Sequence, residues 1–413
     1  MRTCLLPAAT LFFVSIVGAS DYPQWRGPAR DGISTETGLL KEWPKEGPRL
    51  TWKVDKIGGG WSTPSVAGGK IFLIVDRDKK EFAVALDTKD GSQTWFTELG
   101  NVGANNGPQY PGSRSTPTVD GEFVYCLGSD GDLACLDVAK GGVKWKKNLK
   151  TDFGGKAGMW AYAESPLIDG DTLVATPGGE KATLVALNKK TGATIWESPV
   201  PGGDAASYSS VIVAQVGGAK EYIQFVHKGV VGVDAATGKF LWRDDRTKDM
   251  AANISTPLFH NDMVFSGSGR SVGGVVKLAT ADGGVQATPV YKDGVLATGI
   301  GGALRVGESL YICNRQLVCA EFATGKVLWE DKAIGPASMC FADGHLYLHG
   351  HNLGTIALVE ASPAGYKEKG RFTPAHEITK GQAWSYPVVA NGCLYVRDMN
   401  VLCCYEVKDT AAK

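Results

Sequence analysis

The chain has 413 residues, enough for one large domain, and sets 43 basic against 43 acidic side chains for a formal net charge of zero. That balance favours no polyanion, so no nucleic acid is expected as a partner. With 54 glycines, 19 prolines and 11 tryptophans, and no window of apolar residues at helical spacing over three turns, the composition points to short strands and many turns.

The first twenty residues read as an export signal. Arg2 supplies the positive end, Leu5 to Val17 the short apolar core, and Val17-Gly18-Ala19 a small-residue site, so residues 1–20 are expected to be a signal peptide cut after Ala19 or Ser20. Cys4 lies before the apolar core rather than at the cleavage point, which argues against a lipid anchor. No later stretch reaches the roughly 18 apolar residues needed to span a bilayer. The expected location is the periplasm or the medium. Residues 21–49 are expected to be an extension packed on the main body, residues 50–407 the body itself and 408–413 a tail.

From Trp52 onward one unit recurs: a short apolar run, a Gly-centred turn and a large aromatic. Its copies run from Ala85-Leu86-Asp87 through Gly91 to Trp95, from Cys135-Leu136-Asp137 through Gly141 to Trp145, from Ala186-Leu187-Asn188 through Gly192 to Trp196, from Gly232-Val233-Asp234 through Gly238 to Trp242, and from Cys319-Ala320-Glu321 through Gly325 to Trp329. Weaker copies end at Tyr291 and Phe372. With Trp52 there are eight aromatics, spaced roughly 38 to 51 residues apart, the period of propeller blades. A second signature interleaves, with Ser/Thr-Pro before a β-branched residue at Ser62-Thr63-Pro64, Ser115-Thr116-Pro117, Ser165-Pro166, Ser255-Thr256-Pro257 and Ser385-Tyr386-Pro387, and looser forms at Ser209-Ser210, Gly301-Gly302 and Pro336-Ala337. Proline at the start of a strand loses no ladder hydrogen bond, so these mark eight strand starts.

The fold expected is therefore all-β, an eight-bladed propeller of four-stranded antiparallel sheets with the aromatic on the outermost strand. The last unit stops at Val407 without a closing Trp strand, and Leu50-Thr51-Trp52-Lys53-Val54 is such a strand with nothing before it. The two ends are expected to complete one blade, which leaves no long exposed edge. The repeat tryptophans are then packing residues between blades. Trp61, Trp160 and Trp384 break the period and are the aromatics to test for binding.

Eight cysteines follow Cys4. Cys126 and Cys135 flank one turn, and Cys393 and Cys404 another, so each pair is expected to face across adjacent strands, where a disulfide is an option. The simpler reading is small buried thiols standing where other repeats have Ala85 and Ala186. His349-Gly350-His351 reads as a solvent-exposed hairpin without metal, and no zinc-protease helix follows His376-Glu377, which lacks a second His at position 380. Asp76 and Asp78 make a poor calcium loop, and Gly267, Gly269, Gly273 and Gly274 mark a hairpin loop rather than a phosphate cradle.

The unit seen most cleanly at Asp234-Ala235-Ala236-Thr237-Gly238-Lys239-Phe240-Leu241-Trp242 resembles the repeat of the pyrroloquinoline-quinone (PQQ) type propellers, in register over residues 50–407. The opening Gln24-Trp25-Arg26-Gly27-Pro28 is similar to the start of exported members from planctomycete-like bacteria. The resemblance implies either a quinoprotein dehydrogenase or a non-catalytic propeller like that of the outer-membrane barrel assembly machinery. For the first, the loops leading into the innermost strands offer Trp61, Arg114, Trp160, Glu164, Tyr208, Asn253 and Trp384. Arg114 would meet the cofactor's carboxylates, Trp384 would stack on its ring, and Glu164 and Asn253 would hold calcium. Against it, Cys403-Cys404, the chain's one adjacent cysteine pair, lies in the last blade and not in an early loop. No carboxylate matches the family's catalytic base, and no c-type haem motif is present. The expected function is a non-catalytic exported scaffold, a monomeric ring without cofactor that presents rim loops to an envelope protein or glycan. The alternative is a PQQ- and calcium-dependent dehydrogenase of an alcohol or sugar.

Overall fold

In the computed structural model, which describes residues 20–103, 110, 112–269, 271–281, 284–374, 376, 378 and 382–410, every repeat becomes a four-stranded antiparallel sheet, and eight sheets form the blades of a propeller. The signal peptide, apart from Ser20, lies outside the described residues. Blade 1 runs outward from the axis through Ser65–Ala67, Lys70–Arg77, Lys80–Asp87 and Gln93–Asn101. The innermost strands of blades 2 to 7 are Thr118–Asp120, Leu167–Asp169, Ile212–Val216, Leu258–His260, Ala303–Val306 and Ala337–Ala342. Pro64, Pro117, Pro166, Pro257 and Pro387 each stand immediately before such a strand. Blade 8 joins the two ends of the chain. Val388–Ala390, Cys393–Asp398 and Val401–Glu406 are completed by Leu50–Val54, with Trp52 opposite Cys404 and Lys53 opposite Cys403.

The repeat aromatic staples each blade to the next. The indole N–H of Trp52 donates to Thr88 O, that of Trp95 to Val138 O, Trp145 to Lys189 O, Trp196 to Ala235 O and Trp329 to Ser362 O, at 2.9 to 3.2 Å. Each acceptor lies in the following blade. For Trp52, Trp95, Trp145 and Trp196 the Gly of that blade's turn lies under the ring: a Cβ on Gly238 would stand 2.5 Å from Trp196 Cε3, and its φ of +72° is left-handed. Gly238→Ala therefore meets both a clash and backbone strain. We expect a loss of about 2–3 kcal/mol, measured as a lower denaturant midpoint, while Gly142→Ala, beside a repeat glycine but with open space at its Cβ, should cost far less.

Two blades depart from the pattern. Trp242 donates to Glu221 of its own blade at 2.7 Å, because blade 5 answers with the long hairpin of Gly273–Ala281 and Gly284–Asp293 instead of the Asp-to-Gly turn. In blade 7 Phe372 does not occupy the staple position. Where the other blades set the aromatic opposite a third-strand Ala, Cys, Gly or Val, blade 7 has Gly370 opposite Leu358. Trp43 of the extension packs there instead, its backbone N–H donating to Lys369 O and its ring 5.7 Å from Tyr347, as Trp145 packs 6.3 Å from Tyr125, but its indole N–H makes no hydrogen bond.

The cysteine expectations need correction. Cys126 pairs with Ala134 and Tyr125 with Cys135, so Cys126 and Cys135 point to opposite faces of the sheet and enter different cores. Cys393 and Cys404 share a face but sit diagonally, since Cys404 lies opposite Tyr395. All eight described cysteines are free thiols. Nor are the histidines in an exposed hairpin. His349 belongs to the strand His345–Gly350 and is fully buried, and His351 is nearly so.

The extension threads the centre of the ring. Tyr22 bridges Val66, Pro23 O accepts from Val119 N–H, Arg30 donates to Ser165 O and Pro166 O, Trp25 to Thr256 Oγ1, Arg26 to Ala303 O, and Ile33 bridges Phe341. Residues 22–33 thus touch the innermost region of six blades and close one end of the axial channel. Contacts with Gly68, Asp343 and Asn391 place that end at the hairpins following the innermost strands. The loops leading into those strands stand at the other end.

Candidate functional site

At the end of the lead-in loops, here called the mouth, five of the seven residues singled out from the sequence form one continuous arc. The Trp61 and Trp384 rings stack with centroids 5.0 Å apart, and Tyr110 meets Trp384 edge-on at 5.1 Å. The Arg114 guanidinium lies 5.0 Å from the Trp61 ring centroid, a cation on an aromatic face. It also donates to the carbonyls of Gly112, Trp160 and Tyr110. Burial pulls Arg114 down to about 10, so it stays charged at neutral pH. Trp160 leans on Tyr208 at 5.6 Å and donates its backbone N–H to the Tyr208 hydroxyl at 3.0 Å. Gly158 makes room for that contact, since a Cβ there would stand 2.6 Å from the same hydroxyl.

Glu164 and Asn253 stand apart from the arc. Glu164 Oε2 accepts from Thr176 N–H at 2.7 Å, and Oε1 from Thr176 Oγ1 at 3.0 Å and Gln224 Nε2 at 3.3 Å. Burial pushes its carboxyl up to about 8, against the opposing pull of Thr176 and Arg30, so it is a neutral acid at pH 7. The Asn253 amide donates to Val226 O and His227 O and accepts from Asp249 N–H. Both side chains tie lead-in loops to neighbouring blades.

These residues do not fit a quinone with calcium. Glu164 and Asn253 have spent their oxygens internally, and Trp61 and Trp384 occupy the faces a flat ring would need. Among the described residues, no group of three or more His, Cys, Asp or Glu side chains is arranged to hold a metal. Cys403 and Cys404 lie within a strand and face different blade interfaces.

Three contributors escaped the sequence reading. Tyr110 completes the aromatic arc, and Met159 and Met250 stand beside it, 47% and 73% exposed. They flank a cleft of about 170 Å³ lined also by Tyr208, His227 and Ala251. Neither methionine sits at a repeated position, so no period flags it. A larger cleft of about 480 Å³ lies between blades 5 and 6, lined by Val295, Asn314 and Arg315; none of the residues selected from the sequence reaches it.

The pattern of the family described as outer membrane protein assembly factor BamB matches residues 32–175, 111–330 and 161–386. The chain belongs to this family of PQQ-repeat propellers. A curated member from Shewanella oneidensis, named outer membrane protein assembly factor BamB, is 24% identical over 277 residues, 63% of this chain and 64% of that relative's length. The chain thus spans less than two thirds of that relative. BamB from Moraxella catarrhalis superposes with a TM-score of 0.60 at 14% identity, covering 87% of this chain and 98% of that one. A quinohemoprotein alcohol dehydrogenase from Pseudomonas putida gives 0.54 at 12% identity, covering 95% and 81%. Likeness at such identities speaks for the ring and not for chemistry.

Proposed function

We propose that this family member is an exported, non-catalytic propeller that binds a protein of the cell envelope through the lead-in loops at the mouth. The observation that carries the reading is the division of labour at that mouth. Three polar groups there, Arg114, Glu164 and Asn253, are held in internal bonds, while Met159 and Met250 face outward beside the half-buried Trp160, at a shallow cleft lined also by the buried Tyr208. Exposed methionines beside a concavity walled by aromatic rings suit an apolar anchor from a protein partner. Kinship with assembly factor BamB supports an interaction role, and no described helix is long and apolar enough to cross a membrane.

Photo-crosslinkers placed at Met250 and at Ile195, exposed on an outermost strand, test the mouth against the flank. We expect a single discrete adduct from position 250 and none from 195. The double substitution Met159→Glu and Met250→Glu should weaken binding of the identified partner at least tenfold, about 1.4 kcal/mol, without shifting the melting temperature. Equal capture from both positions, or unchanged affinity in the double variant, would sink the proposal.

A further inference from the structure

Glu36 is a buried carboxylate with no side-chain cation. It is 8% exposed, and among the described residues no Lys, Arg or His forms an ion pair or a hydrogen bond with it. Its oxygens accept from backbone alone: Asn391 N–H at 2.8 Å, Gly392 N–H at 3.1 Å and the nitrogen of Ser20 at 2.6 Å. A carboxylate withdrawn from water is costly to keep without a counter-charge. The Ser20 nitrogen is the shortest of the three contacts, and the residues around it are held in place. Ser20 Oγ accepts from Thr35 Oγ1 at 2.9 Å, the Asp21 carboxylate accepts from Gly68 N–H at 3.1 Å, and Tyr22 pairs with Val66.

We propose that the chain is hydrolysed at the Ala19–Ser20 bond and that the freed α-ammonium of Ser20 is the counter-charge of Glu36, so that processing completes an ion pair inside the fold. Water adds across the peptide bond, the new carboxylate departs on the leader, and the new amine takes up a proton. The agent is an endopeptidase that accepts the small residues Val17 and Ala19, and water is the only co-reactant. Cleavage one bond later would discard Ser20 and its contact, so the geometry selects between the two sites left open by the sequence. The ion pair fastens the segment in the channel to the Asn391-Gly392 turn of the closing blade, at the end away from the binding mouth. The inference rests on the export part of the proposed function and not on its partner.

The exported protein is purified from the envelope fraction and its N-terminus read by intact mass and fragmentation; the expected first residue is Ser20. Thermal unfolding from pH 6 to 10 is then compared for the free-amine form, the same chain acetylated at Ser20, and both forms of Glu36→Gln. The free amine should melt about 1–3 °C above the acetylated chain at pH 7. The gap should close as the amine loses its proton on the alkaline side of its ordinary value near 8, and should vanish in Glu36→Gln. An exported chain cut elsewhere, or a gap that survives Glu36→Gln, overturns this proposal alone. A chain kept in the cytoplasm with its leader intact overturns export as well.

Discussion

Replacing Arg397 by leucine is expected to cost about 4 kcal/mol or more, the largest effect of any single substitution at the ring's seam. Arg397 lies on the second strand of blade 8 and is fully buried. Its guanidinium donates to Ser62 O at 2.9 Å, Ile74 O at 3.0 Å, Gly59 O at 2.9 Å and Gly58 O at 3.3 Å, all on blade 1 or the loop leading into it, and to Met399 O at 2.9 Å. Burial pulls it down to about 10, with Asp76 opposing, so it is charged throughout the neutral range. At this junction between the first and last blades, leucine would leave Ser62 O, Gly58 O and Met399 O without the guanidinium and strip Ile74 O and Gly59 O of one of two donors, since Ser113 Oγ and Asp76 N–H still reach those two. Lysine restores the charge but not the planar fork, so Arg397→Lys should fall between. Urea unfolding ranks the three proteins. A leucine variant with the wild-type midpoint would show that this junction is held by the Leu50–Val54 strand alone.

Asp398→Asn should cost about 3–5 kcal/mol and change the shape of the pH profile. Asp398 lies between two imidazoles, with Oδ2 2.7 Å from His376 Nε2 and Oδ1 3.2 Å from His349 Nε2. His349 Nδ1 is held by Ser385 O at 2.9 Å, next to Trp384 of the mouth, and the Cys403 thiol lies 3.9 Å from His376 Nδ1. Burial alone would raise the Asp398 carboxyl, but His349 and His376 outweigh it and hold it well below the usual range. The bond to Asp398 raises His376 to about 9, and the same carboxylate raises His349 despite burial. Burial keeps nearby His351 neutral, down to about 3.

The depressed carboxyl contributes stability above its unfolded value near 3.9 that is lost as pH falls through its folded one. The raised His376 contributes stability below about 6.5 that is lost as pH climbs through about 9. Wild-type stability should therefore be greatest between about pH 4 and 6.5 as far as this cluster is concerned. In Asp398→Asn the alkaline decline from about 6.5 to 9 should shrink, and the His376 imidazole should titrate lower than in the wild type by NMR, with the Cys403 thiol still raising it and burial lowering it. An unchanged His376 titration would rule out the carboxylate as its cause.

The eight blades were legible because a packing arrangement repeats: five blades set an aromatic over the next blade's glycine, so Trp95, Trp145 and Trp196 announce themselves by period. Trp43 brings blade 7 an aromatic from outside the repeat. Only the fold reveals it, since Phe372 two residues from the vacant position offers a plausible substitute. Residue counting around a turn failed for Cys126 and Cys135 because an offset of one in register reverses the face. At the mouth, the lead-in loops could be found from Ser/Thr-Pro, and Trp61, Arg114 and Trp384 do meet there. Glu164 and Asn253 occupy equivalent loops but turn inward, a choice made by Thr176 and Val226, partners on other strands that sequence proximity does not show. The His349, Asp398 and His376 cluster was hidden for the same reason, with its members drawn from two blades and the connection between them.

The pairing of Trp52 with Cys404 also sets a timetable. Roughly 350 residues separate the partners, so at ribosomal speeds the earliest strand waits on the order of 20 to 70 s for the last to be made. Throughout that wait it is an open β edge, a template for aggregation. Shielding of newly made chain should thus matter most around residues 50–54, and a chain truncated before residue 401 would leave that edge permanently bare.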